Sequence, residues 1–167
     1  MNRNVFITLL IIFNIAIDQI SKVIVRSTMI KGREGEIDVI GDYFQLIWVE
    51  NKGAFLGMGS EMNDTLRILF LLILPILVLG YVVYYIVKNT ELDRLSLIAF
   101  CCIIGGGIAN VFDRIVFGEV TDFFFMRLTD VIRTGIFNVA DLSVTSGMIM
   151  LLLSGFLNRK KTDSLEA

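Results

Sequence analysis

Two aspartates, Asp122 and Asp141, are the residues of this 167-residue chain best suited to chemistry. Asp122 lies in the stretch VTDFFF, where poor hydration raises the pKa of a carboxyl group that lacks a partner. Asp141 follows Asn138 by three residues, which is also the pattern of a capping box and gives Asp141 a purely structural alternative role. Two carboxylates that share a site do not readily both ionise, so one can keep a proton while the other acts as a base. The pair therefore predicts hydrolysis by an activated water, provided that folding brings the two together.

The composition removes the common alternatives to carboxylate chemistry. The chain has no histidine, which excludes histidine-dependent triads and HExxH zinc sites. Its only cysteines are the neighbours Cys101 and Cys102, which cannot form an ordinary disulfide within one helix and which we interpret as small packing residues. We expect no metal and no other cofactor. The net charge of −2 gives no indication of nucleic-acid binding.

The elements that must position these aspartates are predominantly apolar. The chain is 55% hydrophobic, and four segments near twenty residues long predict transmembrane helices over 5–25, 68–87, 95–112 and 139–157. The connections 26–65 and 113–138 contain the strand-like pieces EIDVI, YFQLIWVE and EVTDFFFMRL. We therefore predict a mainly α-helical membrane protein, a single domain over 1–167, with a small β-sheet resting on the outer membrane surface.

Basic residues near the span ends predict the orientation. Four spans place both termini on one side, and Arg159, Lys160 and Lys161 follow the fourth segment directly. Lys88 and Arg94 lie in the other connection on that side, and such residues favour the cytoplasmic face. More lysines and arginines lie on the opposite side, but within a long region of mixed charge. We expect both termini in the cytoplasm and both candidate aspartates at the outer boundary.

Further charged residues lie in or beside the spans, where ionisable groups are costly. Asp18 and Lys22 are four residues apart, acid first, which predicts an ion pair on one face of the first helix. Asp113 and Arg114 are expected to close the third helix, with Arg114 holding either Asp113 or backbone carbonyls of the outer loop. The three glycines Gly105–Gly107 are expected to allow close approach of neighbouring helices and to have no chemical role.

Five blocks, in order along most of the chain, resemble the signature blocks of the lipoprotein signal peptidase family, also called signal peptidase II. They are DQISK (Asp18–Lys22), ENKGAF (Glu50–Phe55), NVFDR (Asn110–Arg114), GEVTDF (Gly118–Phe123) and FNVADLS (Phe137–Ser143). The resemblance implies an aspartic endopeptidase of the bacterial inner membrane that removes signal peptides from prolipoproteins. In that family the cut falls just before a cysteine that carries a diacylglyceryl group. The implied partners are this prolipoprotein and membrane lipid, and we expect a monomer.

The resemblance also assigns roles to residues. The catalytic aspartates carry over to Asp122 and Asp141, and the helix N-terminus at Asp141 favours its charged form and hence a role as the initial base. The matching positions that shape the site, contact substrate or support it are Asn51, Gly53, Asn110, Arg114, Asn138, Asp18 and Lys22, with Asp113 structural. The second block is one small residue shorter than the Asn-x-Gly-Ala-Ala-Phe that is common in the family. That departure leaves the turn near Phe55 open.

Three other functions are compatible with parts of the sequence. An ion-coupled transporter would also keep carboxylates in the membrane, but these acids cluster at one boundary and no inverted repeat is visible. A Ser/Lys hydrolase would need Ser21 to act with its neighbour Lys22, and adjacent helical residues point to different faces. A non-catalytic assembly protein would leave Asp122 unexplained.

Overall fold

The computed structural model describes residues 2–54, 58–59 and 62–165, with side chains described as far as Arg159. Its main elements are four long helices, α1 (Arg3–Thr28), α2 (Asp64–Lys88), α3 (Arg94–Phe117) and α4 (Val139–Leu165). Each helix contains a stretch that is long and apolar enough to cross a membrane, ending at Arg159 in α4. The four predicted spans are therefore confirmed. The open question about Phe55 lies outside the described residues.

Every one of the four helices begins at a side chain that can accept a backbone N–H. The side chains of Asn2, Asn63 and Asp93 accept hydrogen bonds from backbone N–H groups in the first turns of α1, α2 and α3, and Asn138 does so for α4. These short polar residues are the preferred N-caps because they satisfy donors that have no partner within the helix.

The third helix is longer than predicted, and this corrects the expectation that Asp113 and Arg114 close it. α3 continues to Phe117 and ends at Gly118, whose φ of 76° is the left-handed conformation that glycine adopts readily. Apolar composition marks where a helix contacts lipid and does not mark where the helix stops. Asp113 and Arg114 therefore lie on a regular helical turn, with fixed directions for their side chains.

The second helix changes its hydrogen bonding midway. Two α-helical pieces, Asp64–Ile68 and Leu74–Lys88, are joined by a π-helical turn at Leu69–Ile73. Pro75 follows directly and has no N–H to donate to the preceding turn, which is a usual cause of such an interruption. No residue of the first piece or of the π-helical turn is fully buried, whereas Leu79 and Ile86 are buried in the second piece. The sheet-side half of α2 therefore packs loosely against the bundle.

The glycines Gly105–Gly107 place α3 at the centre of the bundle. A Cβ atom at Gly105 would lie 2.6 Å from the Cβ of Asn14 on α1, and one at Gly107 would lie 2.7 Å from a methyl group of Leu79 on α2. Gly106 is equally close to the backbone of Ala140 on α4. Consecutive helical residues are rotated by about 100°, so three adjacent glycines face three different helices. The prediction that they allow close approach is confirmed.

The cysteines are packing residues, as expected. Cys101 is fully buried in the apolar core of the helical bundle, beside Ile86 of α2 and Ile104 of its own helix. Cys102 is half-buried, and neither thiol is in a disulfide.

All three strand-like pieces form strands, namely β1 (Ile37–Ile40), β2 (Phe44–Asn51) and β3 (Val120–Met126). They make one antiparallel sheet in the order β1-β2-β3, at the end of the bundle where α1 and α3 end and α4 begins. The predicted fold class, a helical membrane protein with a small sheet, is confirmed.

A β-bulge in β2 decides which residue faces Asp122. Leu46 pairs with Phe124 and Val49 pairs with Asp122, so β2 has one extra residue between these pairs. Side chains alternate between the two faces of a strand, and an extra residue reverses the alternation. A regular ladder would place Glu50 on the face of Asp122, and the bulge places Asn51 there.

Candidate active site

Asp122 is held at both of its carboxylate oxygens. The side-chain amide of Asn138 donates to Oδ1 over 2.7 Å, and that of Asn51 donates to Oδ2 over 2.9 Å. The residue is 3% exposed. Three elements therefore fix one carboxyl group, because Asn51 ends β2, Asp122 lies in β3 and Asn138 precedes α4.

Asp141 forms the structural cap that its spacing to Asn138 predicts, and it also contacts the cluster around Asp122. The backbone N–H of Asn138 donates to Oδ2 of Asp141 over 3.2 Å, and the N–H of Asp141 donates to Oδ1 of Asn138 over 3.0 Å. These reciprocal bonds are the predicted capping box. The other oxygen of Asp141 accepts from the amide of Asn110 over 3.0 Å, which draws the capping carboxylate into the cluster around Asp122.

Two asparagines connect the carboxylates. The amide nitrogen of Asn138 that bonds Asp122 also donates to Oδ1 of Asn110 over 3.1 Å, and Asn110 bonds Asp141. Because each amide has a donor end and an acceptor end, this chain of contacts fixes the orientation of both. The structure thus brings together two carboxylates that are nineteen residues apart.

The environment of Asp122 favours its protonated form. Burial raises the pKa of Asp122 to about 7, hydrogen bonds from Asn51 and Asn138 oppose that shift, and the nearby charge of Asp141 adds to it. A carboxyl group of this kind can hold a proton near neutral pH while its neighbour is ionised.

Lys22 lies beneath the site as a fully buried cation with three partners. Its Nζ is 2.7 Å from Oδ2 of Asp18, 2.8 Å from Oδ2 of Asp113 and 2.9 Å from Oδ1 of Asn110. The predicted pair with Asp18 is present, and Asp18 and Asp113 are also fully buried. An ammonium group has three donors, and here they match three acceptors from two helices.

Asp18 also reaches α4, which its spacing to Lys22 does not indicate. Its Oδ1 accepts the backbone N–H of Ala140 over 2.8 Å. That N–H belongs to the first turn of α4, where backbone donors have no intrahelical partner. Asp18 therefore stabilises the helix end that carries Asp141.

Arg114 holds a backbone loop, and Asp113 is held from α1. Arg114 donates to the carbonyl of Gly53 over 2.8 Å and to that of Asn110 over 3.1 Å. The N–H of Gly53 in turn donates to the side chain of Asn51 over 2.8 Å. Of the two partners proposed for Arg114, the structure selects backbone carbonyls, because Asp113 points to Lys22 on the neighbouring helix.

Two supporting residues were not predicted. Gln19 donates to Oδ1 of Asp113 over 3.0 Å, and Arg26 lies 3.4 Å from the same oxygen. Arg26 also donates to the hydroxyl of Thr121 over 2.8 Å. The spacing of residues 18, 22 and 26 puts them on one face of a helix, and that signal could have identified Arg26.

Metal-binding groups are sparse in this chain. Among the residues with described positions, no cluster of three or more histidine, cysteine, aspartate or glutamate side chains could hold a metal ion. The arrangement suited to chemistry is the pair of hydrogen-bonded carboxyl groups.

Comparison with known proteins shows which family this chain resembles. The family model described as "Signal peptidase (SPase) II" matches residues 10–157. A lipoprotein signal peptidase of Borrelia hermsii (strain HS1 / DAH) is 33% identical, covering 97% of this chain and 96% of the relative. One of Clostridium novyi (strain NT) is 31% identical, covering 87% of this chain and 93% of the relative.

Solved structures extend the likeness to the fold. One described as a bacterial membrane enzyme superposes with a TM-score of 0.81 at 27% identity, covering 93% of this chain and 90% of the other. A second of the same description has a TM-score of 0.75 at 26% identity, covering 89% and 91%. The range 10–157 that the family model matches includes both aspartates and every residue of the cluster around them. The chain therefore belongs to the signal peptidase II family.

Proposed function

We propose that this protein is an aspartic endopeptidase that removes the signal peptide from prolipoproteins, cutting before the diacylglyceryl-modified cysteine. The observation that carries the proposal is the pair Asp122, which is buried, and Asp141, which is partly buried, joined through Asn138 and Asn110. Relatives named lipoprotein signal peptidase support the substrate. A pair of carboxyl groups that share one proton is sufficient for amide hydrolysis without a metal or a covalent nucleophile.

We propose a different role for each aspartate, and the surroundings of each support it. Asp141 lies at the N-terminus of α4 and accepts hydrogen bonds from the backbone N–H of Asn138 and the side-chain amide of Asn110, which favours its ionised form and a role as base. Asp122 keeps a proton and donates it toward the scissile carbonyl. As Asp141 takes a proton from water, the water oxygen bonds to the carbonyl carbon. When the C–N bond then breaks, Asp141 gives the proton taken from water to the leaving nitrogen, and Asp122 takes back a proton from a hydroxyl of the tetrahedral intermediate. The products are a carboxyl group on the signal peptide and an amine on the cysteine.

The charges around the pair are consistent with one shared proton. Asp18 and Asp113 are balanced by Lys22 and Arg26, all within one connected cluster. Arg114 is a further cation, and its charge interacts with both Asp122 and Asp141. One positive charge is matched by a pair that carries one negative charge, and a doubly ionised pair would leave an unbalanced charge in a poorly hydrated place.

An apolar pocket beside the site supports a lipid-bearing substrate. It has a volume of about 270 Å³ and is lined by Ile40, Phe44, Phe124, Met126, Phe137 and Leu142. Phe124 lies on the same strand face as Asp122, and Leu142 follows Asp141 directly. We propose that this pocket takes an acyl chain of the diacylglyceryl group, which would set the scissile bond against the carboxyl pair.

The proposal includes the setting of the reaction. We propose a monomeric single domain over 1–167 in the bacterial inner membrane, with both termini cytoplasmic and the sheet and active site at the outer face. Membrane lipid would surround the four spans, and no nucleic-acid partner is involved. The basic residues Arg159, Lys160 and Lys161, which follow the fourth apolar segment, support this orientation.

The deciding experiment supplies purified protein with a diacylglyceryl-modified prolipoprotein and, in parallel, with the same precursor lacking the lipid. Cleavage of the lipidated precursor alone, just before the modified cysteine, is expected. Activity should persist in EDTA, because the proposed chemistry needs no metal. Loss of activity on chelation, with recovery on adding a divalent ion, would instead make the carboxyl groups metal ligands. Absence of cleavage in both precursors would favour a transporter or an assembly protein.

A further inference from the structure

A basic cleft lies between the sheet-side half of α2 and the end of α3, and apart from Arg114 its residues have no role in the proposed hydrolysis. We use this name for the cavity of about 430 Å³ whose polar mouth is formed by Lys52, Asp64, Arg67 and Arg114. The cleft exists because the piece of α2 before Pro75 packs loosely against the bundle. Its position at the sheet end of two spans is where the head group of a surrounding lipid would lie.

The mouth of the cleft has an excess of positive charge. Three cations and one carboxylate line it, and the carboxylate of Asp64 is already paired with Arg67 at 2.6 Å. Arg114 uses two of its nitrogens on backbone carbonyls. Its buried Nε has no hydrogen-bond partner within the described part of the chain. A cluster of this kind is suited to an anion with several acceptor oxygens, because guanidinium and ammonium groups bind phosphate well.

The walls of the cleft are apolar and match the other half of a lipid. Ile68, Leu72 and Ile115 line it together with the charged residues. A ligand that fills the cleft must therefore be amphipathic, with an anionic head and a hydrocarbon body.

We propose that the basic cleft binds one anionic phospholipid, with its phosphate on Lys52, Arg67 and Arg114. The glycerol and the first part of its acyl chains would lie along the apolar walls. Basic pockets between transmembrane helices are a recurrent way of binding such head groups. A zwitterionic lipid would bring its own cation against three others and should bind less tightly. Because Arg114 also holds the loop at Gly53, a bound lipid would brace that loop, and this binding does not depend on the proposed peptidase reaction.

The test measures lipid binding directly, on the full chain in a neutral detergent. Native mass spectrometry would count bound dioctanoyl phosphatidylglycerol and dioctanoyl phosphatidylcholine at equal concentrations. The double variant Lys52→Gln/Arg67→Gln should lose about tenfold or more in affinity for phosphatidylglycerol, since each cation near a membrane surface contributes about 1 kcal/mol. The matched control is Arg33→Gln/Arg127→Gln, which removes the same charge from exposed ion pairs elsewhere on the sheet side and should keep wild-type binding.

A second variant covers the case in which the first does not fold. Asp64→Asn removes the carboxylate from the mouth but keeps the N-cap of α2, and it should bind phosphatidylglycerol several-fold more tightly than wild type. The proposal is overturned if the two lipids bind equally or if the control pair loses as much affinity as the test pair. It is also overturned if inorganic phosphate displaces the lipid at equal concentration, or if a synthetic prolipoprotein signal peptide displaces it, which would assign the cleft to a free anion or to the substrate.

Discussion

The two ends of the helical bundle both hold aspartates in hydrogen-bonded networks, but only the sheet end removes those aspartates from water. At the opposite end, half-buried Asp93 accepts the N–H and the hydroxyl of Ser96 and the hydroxyl of Ser154, over 2.6–3.0 Å. The hydrogen bonds from Ser96 hold the pKa of Asp93 well below its usual range. At the sheet end, burial raises the pKa of Asp122 in spite of two hydrogen bonds.

The difference shows that hydrogen bonds alone do not make a carboxylate inert. Asp93 keeps contact with water, so its donors add to its hydration and the ionised form is stabilised. Asp122 has lost most of its hydration, so two amide donors only partly replace it. The first arrangement fastens α3 to α4, and the second leaves a carboxyl group able to gain or lose a proton near neutral pH.

The largest expected effect is a loss of cleavage activity, and it should occur only with substitutions at the sheet end. Asp122→Asn and Asp141→Asn should each reduce cleavage of a lipidated precursor below a few per cent of wild type, since general acid–base catalysis typically contributes about 10²–10⁴-fold. Asp93→Asn is the matched control and should keep near wild-type activity. Asp141→Asn should also lose about 1 kcal/mol of stability through the cap, so thermal unfolding is measured alongside. Substantial activity in either site variant would remove that residue from the catalytic pair.

The next effect is on stability, through Lys22 and its partners. Lys22→Met leaves the buried carboxylates of Asp18 and Asp113 without their shared cation and should cost about 3–5 kcal/mol. Asp18→Asn should cost less, because Lys22 keeps Asp113 at 2.8 Å. Thermal unfolding in detergent of both single variants and of the double variant forms a double-mutant cycle. The double variant should lose less unfolding free energy than the two single variants lose together. Strict additivity of the two losses would contradict a buried pair.

The two ends should also differ in how the free energy of unfolding depends on pH. The folded chain keeps the proton of Asp122 to about pH 7, whereas an unfolded aspartate loses it near pH 4. The free energy of unfolding should therefore fall as pH rises through this interval, and Asp122→Asn should remove that decline. For Asp93, whose pKa is lowered, the contribution to stability is present above about pH 4 and is lost only at lower pH.

The proton held by Asp122 also predicts the pH profile of activity. Since Asp122 must carry a proton in the proposed reaction, kcat/KM should decline as pH rises above about 7. The profile is measured with the lipidated precursor in a detergent whose charge does not change over the range. A rate that rises continuously to pH 9 would contradict a protonated Asp122.

The smallest expected effect is at the end opposite the sheet. Ser154→Ala removes one hydroxyl donor to Asp93, and it should cost about 1 kcal/mol. Cleavage activity should be unchanged. A large loss of activity with little loss of stability would mean that the two ends are coupled through α4. That result would contradict the view that only the sheet end contributes to activity.

Local patterns in the sequence were enough to predict most of the framework. The four spans follow from apolar length and the three strands from β-rich pieces between turn residues. The capping box at Asn138 and the pair Asp18 and Lys22 are contacts between residues three or four apart, so a single helix geometry fixes them. The end of α3 was misjudged because hydropathy reports contact with lipid, and the helix stops only at Gly118.

The tertiary structure decided which of these polar groups meet. Lys22 contacts Asp113 and Asn110 on α3, and Asp18 caps α4 at Ala140, through contacts between residues about 90 to 120 positions apart. No local spacing encodes such contacts, because they depend on how closely three glycines let the helices approach. The face of β2 that meets Asp122 was likewise set by a bulge, and a bulge is visible only when both strands are paired. The sequence alone determined the membrane helices, the strands and the types of residue available for chemistry, whereas packing between distant segments determined that two of the carboxyl groups share a site.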